Sequence, residues 1–307
     1  MAKLIYPSGS WVAIVTPFDE SGKLDLGVMR ELVDFHAANG TSTLLIMGST
    51  GEPTLLSLEE KHQIIKEMAP YCKGKLHAFF GVTHGSTEGT IGLARYVQEH
   101  DGDGIVITVP PYLCPDQASV YQYLLEVCRS VDISVGLYNN PPRVMTNINP
   151  DTIIKLFNEV PNLVADKEAM PNVGQLVAVH EGTEGKLPVL CCDSPAYALT
   201  LPVLAIGGKG MANVSGNIHP RLMAEMSKPW ECWEDVIRTR QAYTEMLPIM
   251  EACYAATNPV AVKPFVRLLG FPVGQCRKPL PDANPKVLEG MKALIQSYDL
   301  KKLYGLK

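Results

Sequence analysis

Lysine and arginine never gather into a run in this 307-residue sequence, whose formal charge is -5 at pH 7. Nucleic-acid binding needs a basic footprint to meet phosphates, so that class of partner is excluded. No apolar stretch approaches the ~18 residues that a membrane-spanning helix requires, so no membrane partner is expected. Residues 1–9 carry no cationic stretch followed by an apolar one, and no signal peptide is expected either. The eight cysteines (Cys72, Cys114, Cys128, Cys191, Cys192, Cys232, Cys253 and Cys276) include no CxxC, and the seven histidines form no HExxH. Zinc needs ligands in close pairs, so no metal site is expected. Scattered thiols without a disulfide framework fit a reducing compartment, and a cytoplasmic location is expected. A GxGxxG is missing after the first apolar run, which leads into Thr16-Pro17-Phe18 instead. An open dinucleotide-binding sheet would usually carry that motif there.

What is present is an ordinary globular composition, 46% apolar and 19% charged, in a chain long enough for a large core. Short apolar runs alternate with longer amphipathic ones. Trp11 to Val15, Thr43 to Met47, Leu76 to Val82 and Gly104 to Val109 read as strands. So do Ile133 to Tyr138, Leu163 to Lys167, Leu187 to Cys191 and Gly210 to Val214. They lack a clean polar alternation, as strands covered on both faces do. Helices are expected between them, among them Leu58 to Met68 after the N-cap Ser57, Pro150 to Phe157, and Ala196 to Leu204. About eight such units in succession predict an α/β fold, a (β/α)8 TIM barrel over residues 1–228. Residues 229–307 are expected to form only helices: Trp230 to Tyr254, Pro259 to Leu269 and Pro285 to Ser297. They make a C-terminal helical extension packed on the barrel.

A barrel of this kind places its active site at the C-terminal ends of its strands. Lys167 ends the apolar run Leu163-Val164-Ala165, apart from Asp166 between them. Desolvation there would lower its pKa, and a neutral amine can attack a ketone to form a Schiff base. An ion pair with Asp166 or Glu168 at the barrel rim is the structural alternative. Tyr138 ends the neighbouring strand, and strands ~4.8 Å apart bring its hydroxyl within reach of Lys167. A phenol there can move protons, unless it is only a capping aromatic. Gly48-Ser49-Thr50-Gly51 offers hydroxyls and backbone N–H groups to a carboxylate. Arg143, after a Pro-Pro turn, could clamp a second carboxylate through paired hydrogen bonds, unless it is a surface arginine. Gly207-Gly208-Lys209-Gly210 precedes the last strand, at the wrong end of a barrel for a phosphate site.

Several motifs taken together carry a resemblance. They are Ala13-Ile14-Val15-Thr16-Pro17-Phe18, Gly48-Ser49-Thr50-Gly51-Glu52, Tyr138-Asn139-Asn140-Pro141, Lys167-Glu168-Ala169 and Gly207-Gly208-Lys209-Gly210. In order and spacing, over most of the chain, this set resembles the dihydrodipicolinate synthase / N-acetylneuraminate lyase family of class I pyruvate-dependent lyases. The resemblance implies a covalent imine through Lys167 and no cofactor. It implies Tyr138 as general acid/base and Ser49 as a proton relay between Tyr138 and Tyr112. Tyr112 resembles the tyrosine that crosses from a neighbouring subunit. Thr50, with Gly48 in the same loop, would hold the keto-acid carboxylate, and Ala212 would offer it backbone contact. Arg143 would grip the carboxylate of the aldehyde. A homotetramer built as a pair of dimers is also implied.

Within the family, Arg143, Tyr112 and Lys167-Glu168-Ala169 favour the synthase branch, which condenses pyruvate with aspartate semialdehyde in lysine biosynthesis. Ser49, Pro111 and Asp166 depart from that pattern, and serine at 49 is what neuraminate lyases carry. Pro53, Leu58, Lys61, Gly85 and Gly89 stand where some synthases bind feedback lysine. A cationic Lys61 and two glycines cannot hold its ammonium. Other reactions of the same imine stay open: aldol cleavage or dehydration of 2-keto-3-deoxy sugar acids, N-acetylneuraminate cleavage, and deamination of pyrroline-4-hydroxy-2-carboxylate. A barrel that binds a keto acid without turnover is a further alternative, because a tight Asp166–Lys167 contact would keep the amine protonated. A metal-dependent aldolase would need a His/Asp/Glu cluster that the sequence lacks.

Overall fold

The computed structural model describes residues 3–306. Its strands are β1 (Gly9–Ala13), β2 (Thr43–Ile46), β3 (His77–Gly81), β4 (Gly104–Ile107), β5 (Ser134–Asn139), β6 (Leu163–Glu168), β7 (Val189–Cys191) and β8 (Gly210–Asn213). Each pairs in parallel with the next, and β8 returns to β1, so the barrel closes. The helices that accompany the strands are α1 (Leu26–Ala38), α2 (Leu58–Cys72), α3 (Thr87–Glu99), α4 (Gln117–Arg129), α5 (Pro141–Val144), α6 (Pro150–Glu159), α7 (Val173–Gly182), α8 (Thr200–Ala205) and α9 (Pro220–Met226). Then come α10 (Trp233–Cys253), α11 (Val262–Leu269), α12 (Pro285–Ser297) and α13 (Leu300–Tyr304). The chain is therefore a (β/α)8 TIM barrel followed by helices.

Local chemistry sets where the helices begin. Ser57 accepts the Glu60 N–H while the Glu60 carboxylate accepts the Ser57 N–H, a reciprocal cap that starts α2. Pro150 opens α6, where its missing N–H costs nothing. The helix expected over Ala196 to Leu204 is interrupted. Pro195–Tyr197 makes a single tight turn, Ala198 takes φ 53, and α8 starts only at Thr200.

The strands are apolar on both faces because they separate two packed layers. Trp11, Leu45, Phe79, Val106 and Leu190 fill the barrel interior, with Trp11 edge-on to Phe79 at 5.2 Å. Val12, Leu44, Phe80, Ile105 and Leu137 face the helices. Each such side chain contributes about 1.5–3 kcal/mol on burial.

One irregularity decides what β6 presents. Val135 pairs with Leu163, but the next residue, Gly136, pairs with Ala165, so Val164 is an extra residue in β6. Side chains of a regular strand alternate between faces, and one inserted residue reverses that parity. Leu163 packs toward the helices, whereas Val164, Ala165 and Ala169 belong to the interior. Downstream of the bulge Lys167 shares the inward parity of Ala165 and Ala169. Asp166 and Glu168 take the opposite face, where Glu168 accepts from Gln175 of α7 at 2.7 Å.

Candidate active site

Tyr138 and Lys167 are directly paired residues of β5 and β6. The Lys167 ammonium nitrogen lies 4.2 Å from the centroid of the Tyr138 ring. Lys167 is 3% exposed and, among the described residues, makes no ion pair. The rim pairing with Asp166 or Glu168 is thus absent, and the Asp166–Lys167 contact that would keep the amine charged is not made. The bulge is the reason: it turns the carboxylates to the helix side. Burial lowers the Lys167 pKa, the Cys192 thiol and Asp193 oppose that shift, and Arg143 reinforces it. A lysine in this setting reaches its neutral, nucleophilic form more readily than one in water.

Burial also pushes the Tyr138 phenol well above its ordinary value. Cys192 adds to the rise, while Arg143, Asn140 and Ser49 pull against it. Asn140 Nδ2 donates to the Tyr138 hydroxyl oxygen. Tyr138 is therefore protonated at neutral pH, a proton donor beside a lysine whose proton is loosely held. Cys192 follows β7 and packs in the interior with Tyr138 and Ala169. Its thiol is pushed up to about 11 by burial, with Lys167 pulling it down.

A cleft of about 350 Å³ opens at this end of the barrel. Gly48, Ser49, Tyr138, Asn140 and Arg143 form part of its wall. Gly48 leaves room for Leu45, since a Cβ there would stand 2.8 Å from Leu45 Cδ2 and oblige that side chain to shift. Arg143 sits on α5, a short helix opened by Pro141 that the sequence reading did not anticipate. The residues after the barrel supply another part of the wall: Thr257, Asn258, Pro259, Pro279 and Leu280. Asn258 touches the loop of residues 48–51 and Arg143 at once. Its Nδ2 donates to Thr50 Oγ1 at 3.0 Å, and its carbonyl oxygen accepts from an Arg143 NH2 group at 2.9 Å.

The structure thus gathers Gly48, Ser49, Tyr138 and Arg143 around one cleft, with Lys167 behind the Tyr138 ring. Thr50 is fully buried one hydrogen bond from the cleft wall. Ala212 packs inside the barrel, opposite Trp11 in the β1–β8 pairing, and does not line the cleft. Tyr112 stands apart: it is 93% exposed with φ 79, and its neighbour Pro111 reaches the cleft instead. The glycines before β8 lie at the far end of the barrel, where a Cβ on Gly210 would meet Gly9 O at 2.1 Å. Sequence reasoning missed Asn140, Asn258 and Cys192. Nothing marks Asn258 in a tail that reads as helices and punctuation. Strand alternation does say that one of Cys191 and Cys192 must face the interior. Among the described residues, no group of three or more His, Cys, Asp or Glu side chains could hold a metal ion. No helix there is long and apolar enough to cross a membrane.

Known proteins resemble this chain over most of its length. The model of the dihydrodipicolinate synthetase family matches residues 6–298. The 4-hydroxy-tetrahydrodipicolinate synthase of Aquifex aeolicus (strain VF5) is 31% identical over 292 residues, 95% of this chain and 98% of that protein. The protein of the same name from Lachnoclostridium phytofermentans is 34% identical over 286 residues, 92% of this chain and 95% of that protein. The crystal structure of dihydrodipicolinate synthase from Aquifex aeolicus superposes with a TM-score of 0.91 at 31% identity, covering 96% of this chain and 99% of that one.

Proposed function

The chain belongs to the dihydrodipicolinate synthetase family, and we propose that it condenses pyruvate with aspartate semialdehyde as a 4-hydroxy-tetrahydrodipicolinate synthase. The observation that carries this reading is the buried Lys167 amine over the ring of Tyr138, which lines the cleft together with Arg143. In this reading Lys167 attacks the keto carbon of pyruvate. Tyr138 protonates the departing hydroxyl, water leaves, and an imine forms. The imine is the electron sink, so no cofactor is called for. Tyr138 then takes a methyl proton, and the resulting enamine adds to the aldehyde carbon. The new alkoxide receives a proton through Tyr138, Ser49 and Tyr112. The amino group of the semialdehyde then adds to the imine carbon and displaces the Lys167 amine, closing the ring and freeing the lysine.

Thr50 and the N–H groups after Gly48 support the pyruvate carboxylate. Arg143 takes the carboxylate of the semialdehyde. Tyr112 is exposed and outside its own chain's cleft wall, which supports a role in the site of a second copy. The assembly in this reading is a homotetramer of paired dimers in the cytoplasm. The test is direct: pyruvate and aspartate semialdehyde are supplied together and the cyclic product is followed by mass spectrometry. Product with this pair supports the synthase. Ser49 keeps N-acetylneuraminate cleavage as the second reading. Turnover of that sugar acid, or of a 2-keto-3-deoxy sugar acid, without product from the semialdehyde would replace the synthase assignment.

A further inference from the structure

The segment after the barrel grips one loop in particular. Glu52 ends the run that begins at Gly48 and lies between the tight turns Ser49–Gly51 and Pro53–Leu55, with φ 55 and ψ 42. Left-handed backbone at a residue with a side chain persists only where the surroundings over-determine it. Here they do. The Glu52 side chain is fully buried; Oε1 accepts from Lys263 Nζ at 2.7 Å, and Oε2 accepts from the Arg277 backbone N–H at 2.8 Å. Lys263, equally buried on α11, lies 4.0 Å from the centroid of the Phe18 ring, and the Arg277 guanidinium lies 4.1 Å from the same ring. Arg277 also donates to Leu55 O at 2.9 Å. Asn258 adds its bond to Thr50 at 3.0 Å. The loop is therefore tied, at residue after residue, to the chain that follows the barrel.

A buried ion pair is weak evidence of stabilisation, because an apolar pair of similar volume often folds as well or better. What such a pair does supply is a fixed position. We propose that Lys263 is a positioning residue for the keto acid: through Glu52 it sets the backbone of Ser49-Thr50-Gly51, so that the hydroxyls and N–H groups of this loop meet the carboxylate of pyruvate. The proposal rests on the imine reading of Lys167 and on the anion reading of that loop. Among the described residues Arg143 meets the tail at the Asn258 carbonyl, and neither Glu52 nor Lys263 bonds to it directly, so the aldehyde side of the cleft is expected to feel the pair less than the loop does.

The test compares wild type with two double variants, Glu52→Leu/Lys263→Met and Glu52→Gln/Lys263→Met. The half-saturating pyruvate concentration for borohydride trapping on Lys167 is read beside the KM of the aldehyde and the thermal midpoint. In the Leu/Met variant half-saturating pyruvate rises about tenfold or more, the scale of a lost anchoring hydrogen bond, while the aldehyde KM stays near wild type. The Gln/Met variant keeps an amide oxygen for the Arg277 N–H and recovers part of the pyruvate affinity. If the Leu/Met variant does not fold, the Gln/Met variant carries the same comparison, with a smaller rise for pyruvate alone. Wild-type pyruvate affinity in a folded variant, or equal losses for both substrates, would overturn the proposal. No adduct in wild type would instead sink the imine reading, so the two failures are distinct.

Discussion

Asp166 is fully buried, and neither oxygen of its carboxylate has a hydrogen-bond partner among the described residues. Burial, and then the neighbouring Glu168, raise its pKa well above the ordinary value. Glu168 itself is pushed up to about 7 by burial, against the pull of Met170, Gln175 and Asn139. Each acid keeps in the folded chain a proton that the unfolded chain releases above its ordinary pKa. The stability tied to those protons is thus full below about pH 4 and declines as pH rises, through about 7 for Glu168. Asp166→Val removes an unpartnered acid from an apolar layer. It is expected to raise stability at pH 8 by about 1–3 kcal/mol and to flatten the decline, read by urea unfolding at pH 5 and pH 8. A less stable variant at pH 8 would contradict this assignment. Lys167 titrates the other way. Because burial lowers its pKa, the rate of imine trapping should climb with pH to a plateau, with a midpoint below the ~10.4 of free lysine. A midpoint at the free-lysine value would count against a desolvated amine. For Arg143→Ala, the lost charged hydrogen bonds should raise the semialdehyde KM roughly 10- to 100-fold and leave pyruvate trapping intact. The burial of Lys167 was legible, because it closes an apolar run at the end of a strand. The direction of its neighbour Asp166 was not.

The reason lies in the element. Every residue of β6 is buried, so apolar periodicity cannot reveal the extra residue at Val164. The bulge shows only in the pairing with β5, and it determines which of Asp166 and Lys167 faces the interior. The strands themselves were legible as apolar runs, and most helices through their caps and periodicity. The break at Ala198 was not, since no glycine marks that left-handed position. The outward face of β6 carries a polar network that joins β5, β6 and α7: Gln175 donates to Glu168 at 2.7 Å, and Asn139 to Glu168 at 3.1 Å. Gln175→Leu leaves Glu168 short of a donor in a buried site. It should lower stability by about 1–3 kcal/mol in urea unfolding without moving the KM of either substrate.

At the scale of the molecule, the cleft is built by two parts of the chain far apart in sequence. The barrel contributes Gly48, Ser49, Tyr138 and Arg143 to its wall, and the tail contributes Thr257, Asn258 and Pro259. Residue types announced the first set. The second depends on where the tail returns to the barrel, which no local pattern encodes. Tyr112 remains outside its own cleft, and a trans role makes a sharp prediction. Tyr112→Phe and Lys167→Ala should each be nearly inactive alone, yet regain activity when co-expressed, because a mixed pair holds one site with Lys167 and a partner tyrosine. No recovery in a verified mixed oligomer would place Tyr112 elsewhere. The central claim is the lysine imine itself, and borohydride reduction in the presence of pyruvate, followed by peptide mapping, tests it most directly. The account predicts a reduced pyruvyl adduct on Lys167, absent from Lys167→Ala; no adduct, or one on another lysine, would contradict it.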